Sequence, residues 1–386
     1  YTTLDMDAQN AAVAAMQNLP NYYTDSNGLH QPQGAIVAMN PHNGYIMAMV
    51  GGRGDDAFNR ATQAERQPGS AMKPFVYLAA IQSGKTPGSI VDDSPVTFGS
   101  WSPKNYENDF VGNITYRYAL QHSRNVAAVK IADEVGMTKV IKLAKEMGIS
   151  TLTDQDYNLS TALGGLTHGV TPLEMVQAYG VLANGGIKVQ PTAILKIVDR
   201  NGQVVEEHSI QEKRVVDEKD AAIITNMLES VINGGTGGNA AIGRPAAGKT
   251  GTTDDSKDAW FVGYTPDLVA AVWIGDDYGS ETLRGITGGD TPAIMWGQFM
   301  ANALANTPAS DFSVPASAQS AVSEGYYNPA KAQPKKEAAK DEKADKKDDK
   351  DKSKDEAVKD DSGSKDDATE QKSNSSKSKK SSKKDR

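Results

Sequence analysis

Apolar residues along this chain fall into short dense runs typical of strands and longer stretches with helical spacing. The runs 34–39 and 45–50 flank Asn-Pro-His-Asn-Gly and predict a β-hairpin in which Gly44 takes a positive φ. Three further short runs rich in β-forming residues predict strands at 248–253, 259–264 and 268–274. Helical spacing predicts helices at 6–19, 70–81, 114–135, 139–147, 172–182, 221–232 and 292–304.

The order of these elements predicts the fold class. Two strands, a long helical stretch, three strands and a closing helix indicate an α+β domain with a five-stranded antiparallel sheet assembled from both ends of the domain. Helices flank the sheet, and an all-helical subdomain of about residues 74–232 is inserted between its strands. A short hairpin around Asn201-Gly202 interrupts that insert. We expect the domain to span 1–315 and to be followed by a linker and tail at 316–386.

Composition separates the tail from the domain. Residues 331–386 contain no aromatic residue, and Val358 is their only aliphatic residue larger than alanine, so this segment cannot bury enough apolar surface to fold. We expect a disordered, solvated spacer; the alternative is that its basic end, 377–384, binds anionic wall polymers. The tail has 19 basic and 15 acidic residues, which leaves 22 basic and 34 acidic residues in 1–330. This acidic balance argues against a nucleic-acid partner.

Cysteine is absent, which excludes thiol catalysis, disulfides and cysteine metal sites. The five histidines show no spacing of metal ligands, so we expect neither a metal nor a cofactor. No apolar run approaches the roughly 20 residues that span a bilayer. Because the chain starts at Tyr1 rather than Met, we expect it to be part of a longer protein, so that any upstream anchor would lie outside this sequence.

A Ser-x-x-Lys motif opens the second predicted helix. Pro68-Gly69 indicates a turn, and Pro74 is compatible with the first helical turn. Residues three apart are neighbours on a helix, so Ser70 and Lys73 can share a hydrogen bond. A lysine that is desolvated or set beside another cation loses its proton more readily and can activate a hydroxyl. Ser70 and Lys73 are therefore a candidate nucleophile and base, although this motif alone is weak.

Two further motifs supply groups that a Ser–Lys pair needs. Ser123-Arg124-Asn125 offers a second hydroxyl and an amide within the helical insert. Lys249-Thr250-Gly251-Thr252 places a cation, hydroxyls and a glycine on a predicted strand, which suits an extended peptide ending in a carboxylate; we expect the glycine to let the ligand approach the backbone. The three motifs in this order are much more specific than any one of them.

The chain resembles the transpeptidase domain of a class A penicillin-binding protein from about residue 2 to 305. The resemblance rests on the three motifs and on their surroundings, namely 66–70, 118–123, 171–175, 248–253 and 258–264. It implies the penicillin-binding protein and serine β-lactamase fold. This chain has Arg124 where the β-lactamases have aspartate, so the central residue of that motif is not expected to be required for the chemistry.

The resemblance also implies roles. Ser70 would attack the penultimate D-alanine of a peptidoglycan stem peptide, and Lys73 would take its proton. Ser123 would pass a proton to the leaving amine, and Asn125 would hold Lys73 and a substrate amide. Lys249, Thr250 and Thr252 would receive the terminal carboxylate, with Gly251 in the same substrate-binding strand. The N–H groups of Ser70 and Thr252 would form the oxyanion hole.

The expected partners are stem peptides ending in D-Ala-D-Ala, β-lactam antibiotics and the cell-wall synthesis machinery. The resemblance places the domain on the extracytoplasmic face of the bacterial membrane, with a membrane helix and a glycan-polymerising domain upstream.

Three alternatives remain open on the sequence. A D,D-carboxypeptidase shares every motif and uses water as the acceptor. A serine β-lactamase needs a carboxylate that activates water, for which Glu174 is the candidate, although pairing with a helix N-terminus explains Glu174 more simply. A β-lactam sensor or cell-wall binding module would use the same pocket without turnover. Trp101 and Tyr106 are candidates to line the cleft near Ser123.

Overall fold

The structure is a computed structural model that describes residues 1–279 and 281–326. Its strands are β1 (Tyr23–Thr24), β2 (His30–Gln31), β3 (Gln33–Met39), β4 (Ile46–Val50), β5 (Ile90–Asp92), β6 (Asn113–Thr115), β7 (Ile187–Val189), β8 (Lys196–Val198), β9 (Val204–Glu207), β10 (Glu212–Arg214), β11 (Ala247–Thr252), β12 (Asp258–Tyr264) and β13 (Val269–Gly275).

The α-helices are α1 (Met6–Met16), α2 (Arg60–Gln63), α3 (Lys73–Gln82), α4 (Tyr116–Gln121), α5 (Asn125–Val135), α6 (Met137–Met147), α7 (Pro172–Ala183), α8 (Glu218–Ile232), α9 (Thr291–Ala303) and α10 (Gln319–Val322). Short 3₁₀ helices lie at Gly69–Met72, Asp154–Asp156, Leu159–Leu163, Gly238–Ala240 and Ala316–Ala318. No helix among the described residues is long and apolar enough to cross a bilayer.

A five-stranded antiparallel sheet, in the order β11-β12-β13-β3-β4, forms the centre of the fold. Strands from the start of the chain pair with strands from its end, since β3 lies beside β13 with Val37 opposite Ala271. The predicted α+β class and sheet are therefore confirmed. The predicted hairpin is also present, because β3 pairs with β4 and Gly44 has φ +78°.

Both faces of this sheet are covered, which explains the dense apolar runs of its inner strands. β3, β12 and β13 are buried along their whole length. Successive side chains point to opposite faces, so Val37 and Val262 join one core with α3 and α7, while Ile36 and Phe261 join a second core with α1 and α9. Full burial of one such side chain stabilises the fold by about 1.5–3 kcal/mol.

The insert between β4 and β11 carries most of the helices, and it corrects one predicted element. The apolar pattern at 114–135 predicts one helix, but the structure has strand β6 followed by α4 and α5. Ser123 lies between the two helices with φ +53°, a conformation that no helix interior contains. The break has a function in the fold, because it places Ser123 in a half-buried turn and Asn125 at the start of α5.

Short two-stranded ladders accompany the helices of the insert. β8 and β9 form the predicted hairpin around Asn201-Gly202. β7 pairs with β10 instead of extending that hairpin, and β5 pairs with β6. Local alternation did not reveal these ladders, since each strand has only three residues.

The packed part of the chain continues past the predicted boundary at 315. Ala316–Ala318 and α10 pack against α8, and the buried Arg117 donates hydrogen bonds to the carbonyl oxygens of Val322 (2.9 Å) and Glu324 (2.7 Å). Residues 316–326 therefore belong to the folded unit rather than to a linker. The predicted disordered tail at 331–386 lies outside the described residues.

Candidate active site

Ser70 lies in the 3₁₀ turn Gly69–Met72 that leads directly into α3. Gly69 has φ +54°, which suits a glycine. Two buried side chains fix the backbone of the turn: Trp260 Nε1 donates to Gln67 O at 2.9 Å, and the Tyr179 hydroxyl donates to Ala71 O at 2.7 Å. The turn therefore presents the Ser70 side chain to a cleft of about 470 Å³.

Lys73 is fully buried beneath this turn. Its Nζ donates to Ser123 O at 2.5 Å, Ser123 Oγ at 3.1 Å and Asn125 Oδ1 at 2.6 Å. Among the described residues it makes no hydrogen bond to Ser70, in contrast to the shared hydrogen bond that the spacing suggested. Burial, followed by repulsion from Lys249, holds the pKa of Lys73 well below its usual range.

The Ser123 hydroxyl lies between two buried amines. It accepts a hydrogen bond from Lys73 Nζ at 3.1 Å and another from Lys249 Nζ at 2.9 Å. Burial lowers the pKa of Lys249 to about 7. Two buried amines that share one hydroxyl can exchange protons through it. The first and third sequence motifs therefore meet at the second.

Lys249 lies on β11, which is an edge strand of the central sheet. Its Nζ also donates to Thr250 O and Thr250 Oγ1, each at 3.2 Å. Thr253 N donates to Asp258 O across the ladder, and backbone groups alternate in direction along a strand, so the Thr252 N–H points to the open edge. A peptide could pair with this edge while a carboxylate meets the hydroxyls of Thr250 and Thr252.

Glycine was expected at position 251 to let a ligand approach the backbone, but the structure shows another requirement for it. A Cβ on Gly251 would lie 2.3 Å from the Pro68 carbonyl oxygen. A Cβ on Gly69 would lie 2.4 Å from the Thr252 carbonyl oxygen. The two glycines therefore let the Ser70 turn lie directly against β11, which brings Ser70 close to Thr252.

Tyr106 and Trp101, the two aromatic candidates for lining the cleft, differ in their positions. Tyr106 lines the cleft and is 70% exposed. Trp101 is not among the residues that line this cavity, and its backbone pairs with that of Phe98. That Trp101 contributes to the substrate cleft therefore stays a prediction.

Glu174 has a structural role in which both of its carboxylate oxygens accept hydrogen bonds. One accepts from Thr171 N at 2.9 Å in the capping box that begins α7, and the other accepts from Ser150 N at 2.8 Å and Ser150 Oγ at 2.6 Å. It is not among the residues that line the cleft. The simpler explanation, pairing with a helix N-terminus, is confirmed.

Sequence reasoning missed three polar residues around the cleft. Thr236 Oγ1 lies 2.9 Å from Thr250 Oγ1 and so extends the row of hydroxyls beside Lys249. Asn105 Oδ1 accepts from Asn125 N at 2.8 Å, and the buried Arg124 binds carboxylates on both sides. Arg124 drew attention only as the variable centre of its motif. No local signal marks Asn105 or Thr236, because the site residues they bind, Asn125 and Thr250, lie 20 and 14 residues away.

Comparison with known proteins identifies the family. The sequence model described as penicillin binding protein transpeptidase domain matches residues 34–282, which is more than half of the chain. The chain therefore belongs to this family, and the resemblance found in the motifs is confirmed.

Named relatives agree with this assignment. The chain is 40% identical over 292 residues to penicillin-binding protein 1A of Aquifex aeolicus, and the match covers 73% of this chain and 40% of that protein. It is 38% identical over 310 residues to penicillin-binding protein 1A of Neisseria gonorrhoeae, covering 76% and 38%. The chain thus spans about two fifths of the length of these curated relatives.

Solved structures show the same fold. The PonA1 protein of Mycobacterium tuberculosis in complex with penicillin V superimposes with a TM-score of 0.73 at 31% identity, covering 81% of this chain and 87% of that one. Penicillin-binding protein 1A of Haemophilus influenzae gives a TM-score of 0.69 at 30% identity, covering 76% and 52%.

Proposed function

We propose that this domain is a D,D-transpeptidase that cross-links peptidoglycan stem peptides through an acyl-enzyme on Ser70 and is acylated by β-lactams at the same residue. The observation that carries this proposal is the Ser123 hydroxyl shared by Lys73 and Lys249 next to the Ser70 turn. Membership of the transpeptidase family and the penicillin V complex of PonA1 support it.

Acylation begins with Lys73. The lowered pKa of Lys73 favours the neutral amine, which takes the proton as Ser70 Oγ bonds to the carbonyl carbon of the penultimate D-alanine. The tetrahedral intermediate then expels the amine of the terminal D-alanine. Ser123 lies beside both lysines and delivers the proton that this amine needs.

Two backbone N–H groups stabilise the charge on the carbonyl oxygen. The Thr252 N–H points to the open edge of β11, and the Gly69–Ser70 backbone lies against that edge. The N–H groups of Ser70 and Thr252 therefore form the oxyanion hole, in which one donor is worth about 10²–10³ in rate in a comparable enzyme.

Substrate recognition uses the charge and the hydroxyls of the strand. Protonated Lys249, together with Thr250 and Thr252, attracts the carboxylate of the terminal D-alanine, while Asn125 holds Lys73 and a substrate amide. Thr250 is buried against Lys249, so its hydroxyl is already oriented before the substrate binds.

Deacylation decides between transpeptidase and carboxypeptidase, since an acceptor amine or water then attacks the ester and releases Ser70. We favour the amine because the named relatives are penicillin-binding proteins 1A. A β-lactamase is less well supported, because both Glu174 oxygens are used in capping contacts away from the cleft. The domain then works outside the cytoplasmic membrane, where its stem-peptide substrates and the cell-wall synthesis machinery are found.

Intact-mass spectrometry with penicillin V tests the proposal. We expect a single covalent adduct that is lost in Ser70→Ala and released slowly from the wild-type chain. Lack of an adduct, or an adduct that survives Ser70→Ala, would overturn it, and release within seconds would favour a β-lactamase. Incubation with lipid-linked disaccharide pentapeptide then separates cross-linking from mere trimming, and unmodified stems would point to a sensor.

A further inference from the structure

A buried carboxylate outside the three motifs connects the loop that carries Asn105 with the Ser123–Asn125 turn. Asp93 follows β5, and its side chain is fully inaccessible to solvent. It accepts hydrogen bonds from Arg124 Nε at 2.9 Å, Arg124 Nη2 at 2.7 Å, Asn105 Nδ2 at 3.1 Å and Val111 N at 3.3 Å. A buried carboxylate is stable only when charged or hydrogen-bonding groups surround it. Asp93 therefore holds the side chains of Arg124 and Asn105 in fixed positions relative to each other.

Asp93 sets the orientation of the Asn105 amide. The Asn105 NH₂ group donates to both Asp93 oxygens and to Asp109 O, so Asn105 Oδ1 must face the other way. There it accepts from Asn125 N at 2.8 Å and Val126 N at 3.1 Å, the first N–H groups of α5. Asn105 thus caps the helix that begins with Asn125.

Arg124 fixes the same turn from its other side. Its guanidinium reaches Asp93, Asp109 Oδ1 at 2.8 Å and Asp109 O at 2.8 Å. Ser123 immediately precedes it with φ +53°, which is unfavourable for a residue with a side chain. Such a conformation persists only where the surroundings enforce it, and here the enforcing contacts start at Asp93.

We propose that Asp93 is a positioning residue for acylation: through Arg124 and Asn105 it holds the Ser123 hydroxyl between the two lysines. The proposal rests on the proposed function, because it assigns Ser123 the proton transfer described above. Ser123 Oγ lies 3.1 Å from one amine and 2.9 Å from the other, so a shift of about 1 Å away from either amine breaks that hydrogen bond. A misplacement of that size costs about 10²-fold in rate.

The test compares two kinetic constants for penicillin V with the full chain. Asp93→Asn keeps the shape of the side chain but replaces a negative oxygen by an NH₂ group that faces the Arg124 donors. We expect the limiting acylation rate to fall roughly 10- to 10²-fold, while the non-covalent dissociation constant changes by less than about threefold. A loss of stability alone would not lower the limiting acylation rate while leaving the dissociation constant almost unchanged.

Asp277→Asn is the matched control. Asp277 pairs with another buried arginine, since Arg60 Nε donates to its Oδ1 at 2.6 Å, and neither residue lines the cleft. We expect a lowered Tm but a limiting rate within about twofold of wild type. An equal loss of rate in this control would overturn the positioning role, because the effect would then be general destabilisation.

A second variant keeps the test decisive if Asp93→Asn folds poorly. Arg124→Met removes the guanidinium and is expected to show the same selective loss of the limiting rate. The double variant is expected to be no slower than the slower single variant, because both changes act through one turn. Wild-type limiting rates in Asp93→Asn and Arg124→Met would overturn the proposal. A wild-type chain that forms no adduct would instead overturn the proposed function, and this inference with it.

Discussion

The two walls of the cleft are built by different means. The strand wall, formed by Lys249, Thr250 and Thr252, is placed by the backbone ladder of β11 with β12, in which Lys249 lies opposite Val262. The turn wall, Ser123–Asn125, interrupts two helices and is held by side chains from elsewhere in the chain, chiefly through Arg124. Each wall contributes one hydrogen-bonding group to the contact where they meet, Lys249 Nζ and Ser123 Oγ.

This difference predicts how each wall responds to substitution. A ladder of backbone hydrogen bonds does not depend on side-chain identity, so the strand wall tolerates changes except where another segment packs against its backbone. The turn wall depends on a few buried charges, and loss of one partner leaves the other unpaired. Substitutions that move parts of the cleft away from one another should therefore lower the acylation rate most.

Gly251→Val should have the largest effect, because it acts at the place where the strand wall touches the Ser70 turn. The new Cβ would lie 2.3 Å from Pro68 O, so the turn must move away. We expect the acylation rate with penicillin V to fall by about 10²-fold or more, and the free energy of unfolding to fall by about 1–3 kcal/mol.

The control for this prediction is Gly238→Ala, where an added Cβ would have its nearest neighbour at 3.9 Å. That variant should acylate at a rate close to wild type. Normal acylation of Gly251→Val would show that the strand wall and the Ser70 turn do not need this close approach.

Lys249→Met tests the electrostatic part of the strand wall through stability. The folded-state pKa of Lys249 is about 7, below the value of 10.5 for a free lysine. Between these values the unfolded chain binds more protons than the folded chain, so the free energy of unfolding rises with pH across this window. The contribution is about 2–3 kcal/mol between pH 7 and 9 and is absent from Lys249→Met.

Urea unfolding of both chains from pH 6 to 9 measures this difference. Lys142→Met is the matched control, because the Lys142 side chain is 74% exposed and its removal should leave the pH dependence of wild type unchanged. Parallel curves for wild type and Lys249→Met would contradict the lowered pKa.

The strand wall could be predicted from sequence, and most of the turn wall could not. Lys249 and its neighbours lie in a short, β-rich run bounded by turn residues, so the strand follows from local rules. The helical pattern of 114–135 continues through Ser123, although the structure breaks there. That break is enforced by Asp93, which lies 31 residues from Arg124, and no local periodicity contains such a pairing.

The same contrast applies to single site residues. Ser70 and Lys73 were found from their spacing within one helix, whereas the partners of Lys73 are 50 and 52 residues away. Only knowledge of the family links the motifs before the structure is seen. Trp101 shows the reverse case, since closeness in sequence to Tyr106 does not place it among the residues that line the cavity.

Tyr106 and Trp101 provide a smaller test on the loop beside the turn wall. Tyr106 lines the cleft but is 70% exposed, so Tyr106→Ala should weaken the non-covalent affinity for penicillin V by only about threefold. Trp101→Ala should leave that affinity unchanged and lower the Tm. The binding constants, obtained from the concentration dependence of acylation, check both. A larger loss for Trp101→Ala would mean that the loop is held by Trp101 rather than by Arg124.

Removal of residues 331–386 should have the smallest effect of all, because residues 1–326 supply every contact that the structure describes for α4 and the turn wall. We expect the acylation rate and Tm of this truncated chain to match wild type. A chain truncated after Pro315 is the informative contrast: it lacks the Val322 and Glu324 carbonyls that bind the buried Arg117 of α4. Leaving that guanidinium without these acceptors should cost about 3 kcal/mol or more of stability. A lowered acylation rate after removal of 331–386 alone would show that the tail is part of the catalytic unit.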